Sequence, residues 1–523
     1  MIDSIHFQHS FSKRAITGEA KQSDAISSSH IYWRYMRIHS RNRHFRNNSI
    51  GEELQVKAKT GKMGKTSSAP PVSASAPETC TSSKGLHDHR AQLDRLLSND
   101  FFRNTPARNL PTFDASEIGT GPQLGVGGFG VVSEVEYIKL MREGDKGDED
   151  VVDHAESTGE DVILTETNRG MSLADVNSVR HDDDDHHHHH LSGLTNPDEA
   201  RAFMAKHALR DGDARYAIKR LKPDLSEKNK EAAVMDLAYE AKFLAAASHP
   251  NIVKMRGVAS TDSLRCGYFI VMDRLRGTLD ERIGDWAEQE KKLGGSCCGF
   301  LGADKGRLKE IRLERMTALY DISKAMGYLH ENDVIYRDTK PENCGFDIRG
   351  DVKVFDFGIS RVLQKKDSLE DGTYKLTPCC GSLRYMAPEV ALSKPYNLAA
   401  DVFSFATLAW QVLELKTPFE SLSAMRYIEV VCREGWRPPL STKWPARLRR
   451  VLQGSWNANL AERPNFTRIS KVLRGEMAAM ADSDHGSIHE RTQHMMDRSN
   501  RSQNSRIIRR MRSNSKGIEN SLE

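Results

Sequence analysis

The sequence predicts an α+β fold, with strands gathered ahead of helices and polar tails at both ends. From Ile118 the run "IGTGPQLGVGGFGVVSEVEYIKL" alternates and is rich in β-branched residues on both sides of its glycines, as a hairpin would be. Further on, the strand "RYAIKRL" precedes "EKNKEAAVMDLAYEAKFLAAA", a strong helix former that stops at "SHPNIV", where Pro250 breaks it and a strand begins. Beyond about residue 311 the pattern is mainly helical: Met316, Leu319, Met326 and Leu329 share one stripe, the mark of ordinary core packing.

The flanks read differently. Residues 1–95 are rich in Ser and basic residues, hold no long periodicity and are expected to be disordered, with 96–117 as a linker. The chain from 479 to 523 is expected to be a disordered basic tail. Two insertions interrupt the folded span 118–478. The first, 141–213, is acidic and carries "HDDDDHHHHH"; the second covers 286–310. A His run in a polar loop offers many weak metal arrangements and no fixed one, so it is not read as a metal site.

Composition limits the function classes. The chain has 523 residues, 38% of them hydrophobic, which permits a sizeable core, and its formal charge of +4 gives no global argument for nucleic acid or membrane. No transmembrane run is found. Its eight cysteines include two adjacent pairs and no CxxC, so neither a disulfide framework nor a zinc ribbon is expected. An intracellular protein, cytoplasmic or nuclear, is the simplest reading.

The glycines of "LGVGGFGVV", at 125, 127 and 130, suit a loop that brings backbone close to a phosphate. Alone they fit a dinucleotide fold, a kinase or an idle turn equally well. The first plausible strand lysine, Lys219 in "YAIK", stands 89 residues after Gly130. Three strings downstream decide the matter: "YRDTKPEN" at 336–343, "FDFG" at 355–358 and "YMAPE" at 385–389. With "GVGGFG" and "AIK", they make the chain resemble the eukaryotic protein kinase family across 118–478, of serine/threonine type and similar to its tyrosine-kinase-like group.

That resemblance implies two lobes, a small antiparallel-sheet lobe with one helix and a larger helical lobe, and an enzyme using ATP and Mg²⁺. Moving a γ-phosphoryl group is mostly positioning and neutralisation of spread charge, so the site needs cations, metal-holding oxygens and an oriented acceptor. By the family's pattern Asp338 orients and accepts from the substrate hydroxyl, Lys340 neutralises the migrating group, and Asn343 and Asp356 hold metal. Lys219 contacts the α/β-phosphates and pairs with Glu240. Leu124, Gly125, Gly127, Gly130 and Val132 form the lid, Val132 and Ala217 cover adenine, Met272 is the gatekeeper, and backbone of Asp273 and Leu275 meets the base.

Further roles follow from the same resemblance. Glu389 pairs with Arg463, Asp401 braces the catalytic loop, and Leu244, Met255, Tyr336 and Phe357 stack between the lobes. Arg337 awaits a phosphate on the activation segment, with Thr377 the leading acceptor ahead of Thr373 and Ser368, which implies an upstream activating kinase. Two residues depart from the pattern: Tyr336 stands where His is commonest, and Gly345 stands where the adenine floor usually has an apolar side chain, removing contact area unless something refills it. Protein substrates bearing Ser or Thr are expected. The competing readings are a pseudokinase scaffold and, more remotely, a dinucleotide oxidoreductase.

Overall fold

A computed structural model describes residues 83–103, 109–141, 196–294 and 304–482. The tail before residue 83, the His run, Cys297 and Cys298, and the basic tail beyond 482 lie outside the described residues.

The chain enters through helix α1 (Ser83–Leu97) and the single turn α2 (Asp100–Arg103). Strand β1 (Thr112–Phe113) leads into the hairpin β2 (Ile118–Val126) and β3 (Gly130–Ile138). Helix α3 (Pro197–Lys206) and a small hairpin, β4 (Leu209–Arg210) and β5 (Asp213–Ala214), precede β6 (Tyr216–Leu221). Helix α4 (Glu227–Ala246) and strands β7 (Met255–Ala259) and β8 (Phe269–Asp273) complete this lobe. Its sheet runs β1-β7-β8-β6-β3-β2. Every pairing is antiparallel except β1 with β7.

The lobe begins earlier than the expected boundary at 118. Phe113 is fully buried, and it can be so because Gly257 on β7 has no side chain: a Cβ there would lie 2.7 Å from the Phe113 ring. Phe101 is buried as well, so the expected linker 96–117 contributes a strand and part of the core, and residues 83–95, expected to be disordered, form most of a helix that buries Leu93.

The first insertion also folds at its end. Asn196 caps α3 by accepting from the Asp198 amide, with Pro197 at the first turn. Arg201 of α3 pairs with Glu117, a fully buried carboxylate that also accepts from the Asp114 amide at 2.9 Å and the Met141 amide at 3.0 Å. The two ends of the long connection between β3 and α3 are thereby fastened to one side chain.

The larger lobe is helical. Helix α5 (Leu279–Gly294) and the long α6 (Lys305–Glu331) both run into the second expected insertion, 286–310. Much of that segment is packed: Trp286 is buried to 1% exposure and donates to Glu314 at 2.9 Å. Only 295–303 lie outside the described residues there. Beyond α6 come β9 (Val334–Ile335), β10 (Cys344–Phe346), β11 (Val352–Val354) and β12 (Arg361–Val362). Helices α7 (Pro388–Ala391), α8 (Ala399–Glu414), α9 (Ala424–Arg426), α10 (Ala446–Ser455) and α11 (Phe466–Asp482) follow.

Helix α8 is the axis of this lobe, buried without a break from Ala400 to Val412. Arg463 grips Glu389 through two bonds, 2.6 and 2.9 Å, and both residues are buried, which fixes α7 against the turn before α11. Cys344, Cys379, Cys380 and Cys432 are free thiols. No helix among the described residues is long and apolar enough to cross a membrane.

Candidate active site

Sheet register places the small-lobe residues. Val132 stands opposite Lys219, and Ala217 opposite Met272. Residues opposite each other, or two apart along a strand, share a face of the sheet. Val132, Ala217, Lys219 and Met272 are therefore gathered on one face, the one carrying the lysine. At the hairpin tip the Gly127 amide donates to the Gly130 carbonyl at 2.8 Å. A Cβ on Gly130 would lie 3.2 Å from the Arg220 carbonyl and 3.4 Å from Lys219 Cε, whereas at Gly125 it would meet nothing within 4 Å. Gly130 is thus the close approach and Gly125 the open position; Leu124 and Val126 are exposed beside it.

Lys219 joins three elements. Its Nζ lies 2.6 Å from Glu240 on α4 and 3.1 Å from Asp356 at the start of the turn after β11. Burial alone would discharge the lysine, but Asp356 and Glu240 outweigh it and raise its pKa, so the ammonium is held charged. Asp356 adopts a left-handed backbone, φ 65°, which a non-glycine residue holds only when its surroundings fix it. Next to it, Phe357 is fully buried, with its ring 5.2 Å from Tyr336 and 4.5 Å from Phe243 of α4. Leu244 and Met255 are buried in the same core.

Asp236, one turn before Glu240 on α4, adds a further carboxylate beside Asp356. Burial pushes Asp236 up to about 7, with Arg361 opposing and Asp356 and Glu240 adding to the rise. It packs beside Gly358, where a Cβ would lie 3.5 Å from its own. Lys219 and Arg361 are the cations that balance this cluster.

On the large-lobe side the loop 336–343 is fixed by α8. Asp401, fully buried in the first turn of α8, accepts from the Tyr336 and Arg337 amides at 2.8 Å each and lies 3.0 Å from His330 Nε2. Arg337 is left-handed, φ 71°, so the chain turns sharply there and its amides need this acceptor. Tyr336 is buried and donates its hydroxyl to the Phe355 carbonyl, a bond that ties the loop to the residue just before Asp356.

Asp338 accepts four hydrogen bonds. Lys340 donates to it at 2.7 Å, Asn343 at 2.8 Å, the Ser382 amide at 3.0 Å and the Ser382 hydroxyl at 2.9 Å. Lys340 also donates to the Ser382 hydroxyl at 3.0 Å, closing a triangle. Although burial opposes the lysine's charge, Asp338 more than compensates and raises its pKa. Gly381 makes the approach possible, since with φ +94° and a notional Cβ 2.2 Å from the Arg337 carbonyl no other residue fits.

At the hinge, the Asp273 side chain is held by Arg256 through bonds of 2.6 and 2.8 Å. Burial would raise the Asp273 carboxyl, but Arg256 brings it below the ordinary carboxylate range. Gly345 is not the void the sequence suggested. A Cβ there would lie 2.7 Å from Leu275 Cδ1 and 3.0 Å from the Gly277 carbonyl, so the hinge leucine fills the space that a larger floor residue needs.

Arg337 donates to the Ile359 carbonyl at 2.7 Å and to the Tyr396 hydroxyl at 3.3 Å; that hydroxyl donates in turn to the Thr377 carbonyl at 2.7 Å. Thr377 and Ser368 are exposed, whereas Thr373 is buried and donates to Asp371. Among the described residues no three His, Cys, Asp or Glu side chains could hold a metal together. Asn343 and Asp356 are hard oxygen donors that suit Mg²⁺, an ion that takes its remaining ligands from water and phosphate.

A glycine hairpin, a charged lysine bridging two carboxylates and a third carboxylate tied to its own lysine are the kinds of group that phosphoryl transfer requires. The chain belongs to the protein tyrosine and serine/threonine kinase family, whose model matches residues 201–473. It is 31% identical over 268 residues to serine/threonine-protein kinase STY17 of Arabidopsis thaliana, a match covering 51% of this chain and 41% of that one. To serine/threonine-protein kinase VIK of the same plant it is 32% identical over 280 residues, 51% of this chain and 56% of that one. Ephrin type-A receptor 8 of Homo sapiens matches at 29% over 262 residues, 50% of this chain and 23% of the receptor. The chain thus spans between about a quarter and just over half the length of these relatives. The family match begins inside the last part of the expected insertion 141–213; strand pairing of β3 with β6 joins the glycine hairpin to it.

Proposed function

We propose that the protein transfers the γ-phosphoryl group of ATP to Ser or Thr hydroxyls of protein substrates. The observation that carries this reading is the junction at Lys219, whose ammonium meets Glu240 and Asp356 together, the arrangement an ATP-competent cleft requires. Lys219 would bind the α/β-phosphates, and the backbone of Gly125, Gly127 and Gly130 would cover them. Asn343 and Asp356 would hold Mg²⁺, which when bound neutralises phosphate charge. Adenine would lie between Val132 and Ala217 above and the Gly345–Leu275 surface below, meeting backbone of Asp273 and Leu275 beside Met272.

Asp338 would orient the acceptor hydroxyl and take its proton, and Lys340 would offset charge on the group in flight. The Ser382 hydroxyl, shared by Asp338 and Lys340, supports the Ser/Thr preference, since it braces both groups at the place where the acceptor enters. Exposed Thr377, connected to Arg337 through Tyr396, is the site at which an upstream kinase would add a phosphate and order the segment.

The test is transfer of labelled phosphate from Mg·ATP to a mixed peptide library, followed by phosphoamino-acid analysis. The wild-type chain is expected to label Ser and Thr, and Asp338→Asn to lower turnover by about 10³-fold. Equal labelling by both proteins rejects the catalytic reading in favour of a scaffold, and labelling confined to Tyr rejects the acceptor class.

A further inference from the structure

We propose that Phe101 and Phe102, on the one-turn helix α2, are positioning residues for phosphoryl transfer that act through α4 on the segment around Asp356. The inference rests on the kinase reading and adds to it a part of the chain that lies before the family match.

Two chains of ring contacts start at α2. Phe101 stacks on Phe243 at 5.3 Å and 23°, Phe243 stacks on Phe357 at 4.5 Å and 21°, and Phe357 meets Tyr336 edge-on at 5.2 Å. All four rings are buried, from Phe101 at 8% exposure to Phe243 and Phe357 at 0%. Phe102 meets Tyr239 edge-on at 6.1 Å, and the guanidinium of Arg361 lies over that same ring at 5.0 Å. Phe357 follows Asp356 directly, and Arg361 lies five residues beyond it.

The geometry makes α2 a wedge behind the ion pair. Tyr239, Glu240 and Phe243 fall within one turn of α4, so the rings that receive Phe102 and Phe101 bracket the carboxylate that meets Lys219. Asn99 presents the two phenylalanines, its side chain accepting from the Phe102 amide at 3.3 Å and its carbonyl from the Arg103 amide at 3.1 Å. A helix of four residues has no stability of its own. Docking of α2 and the inward position of α4 are therefore coupled: loss of the rings uncovers Phe243 and lets Glu240 and Asp356 move relative to Lys219.

The test uses the full chain carrying Phe101→Ala, Phe101→Leu or Phe102→Ala. Turnover, KM for ATP, thermal midpoint and amide exchange of 236–246 and 355–359 are followed well below the midpoint. Phe101→Ala is expected to lower kcat about fivefold, with a smaller change in KM, and to speed exchange in both segments; Phe101→Leu restores part of each. A lowered midpoint with kcat and exchange at wild-type values would show α2 to be only a cap and would overturn the proposal. If Phe101→Ala does not fold, Phe102→Ala and Phe101→Leu are judged by the same two readouts. Exchange separates the readings: a wild type without transfer rejects the kinase assignment, while unchanged exchange in the variants rejects the wedge.

Discussion

The catalytic loop and the glycine hairpin face one cleft from opposite sides and are held in opposite ways. Asp338 receives four hydrogen bonds from three residues, and its loop hangs from a fully buried Asp401. The hairpin tip is held by backbone bonds alone, Gly127 to Gly130 and Lys222 to Phe129, while Leu124 and Val126 stand in solvent. Chemistry that depends on tenths of an ångström is built where charged groups can be over-determined. On the proposed reading, the hairpin that would cover the phosphates is left free to follow its ligand.

Breaking the rigid side is expected to have the largest effect. Asp401→Asn leaves one acceptor oxygen for the Tyr336 and Arg337 amides, so one buried donor loses its partner. The variant should lose about 2–3 kcal/mol of stability in denaturant titration and more than tenfold in kcat, with less change in KM. Retention of wild-type kcat would show that the loop is held by its other contacts.

The floor of the cleft lies between these extremes. Gly345→Leu pushes against Leu275 and the Gly277 carbonyl, a cost of about 1–3 kcal/mol that should appear as weaker ATP binding in calorimetry. Adding Leu275→Ala should recover much of the loss, because the two side chains compete for one space. An unchanged affinity in the single variant would place the leucine elsewhere.

The smallest effect tests the hairpin itself. Gly130→Ala forces Lys219 and the Arg220 carbonyl to give by tenths of an ångström and should raise KM for ATP a few-fold, about 1 kcal/mol. Gly125→Ala meets nothing and should leave thermal stability within about 0.5 kcal/mol of wild type. Equal stability losses at the two glycines would mean that the tip is not open.

What the sequence revealed and what it hid follow the same division. Asp338, Lys340, Asn343 and Asp356 could be grouped from the sequence because they stand on short loops, where spacing along the chain reflects spacing in space. Lys219 was harder, since its partner strand lies beyond a long insertion, and only register with Val132 brings the two together. Strand β1 could not be read at all: two residues carry no periodicity, and Phe113 is placed by the missing side chain of Gly257. Phe101 and Phe102 were passed over because "DFFR" is too short for a helical pattern, although adjacent aromatics beside a polar stretch are a signal of docking. Leu275 filling the space of Gly345 is a tertiary exchange between residues 70 positions apart, and single positions cannot show it.

Glu117 has a consequence for how such a chain changes over time. Because Met141 and Arg201 are both fastened to its carboxylate, whatever sequence joins them leaves and re-enters the domain at one point. Closing such a loop costs only logarithmically more as it lengthens. The carboxylate thus acts as a port: segments of almost any length and composition can be acquired or lost there without moving the glycine hairpin or the strand that carries Lys219.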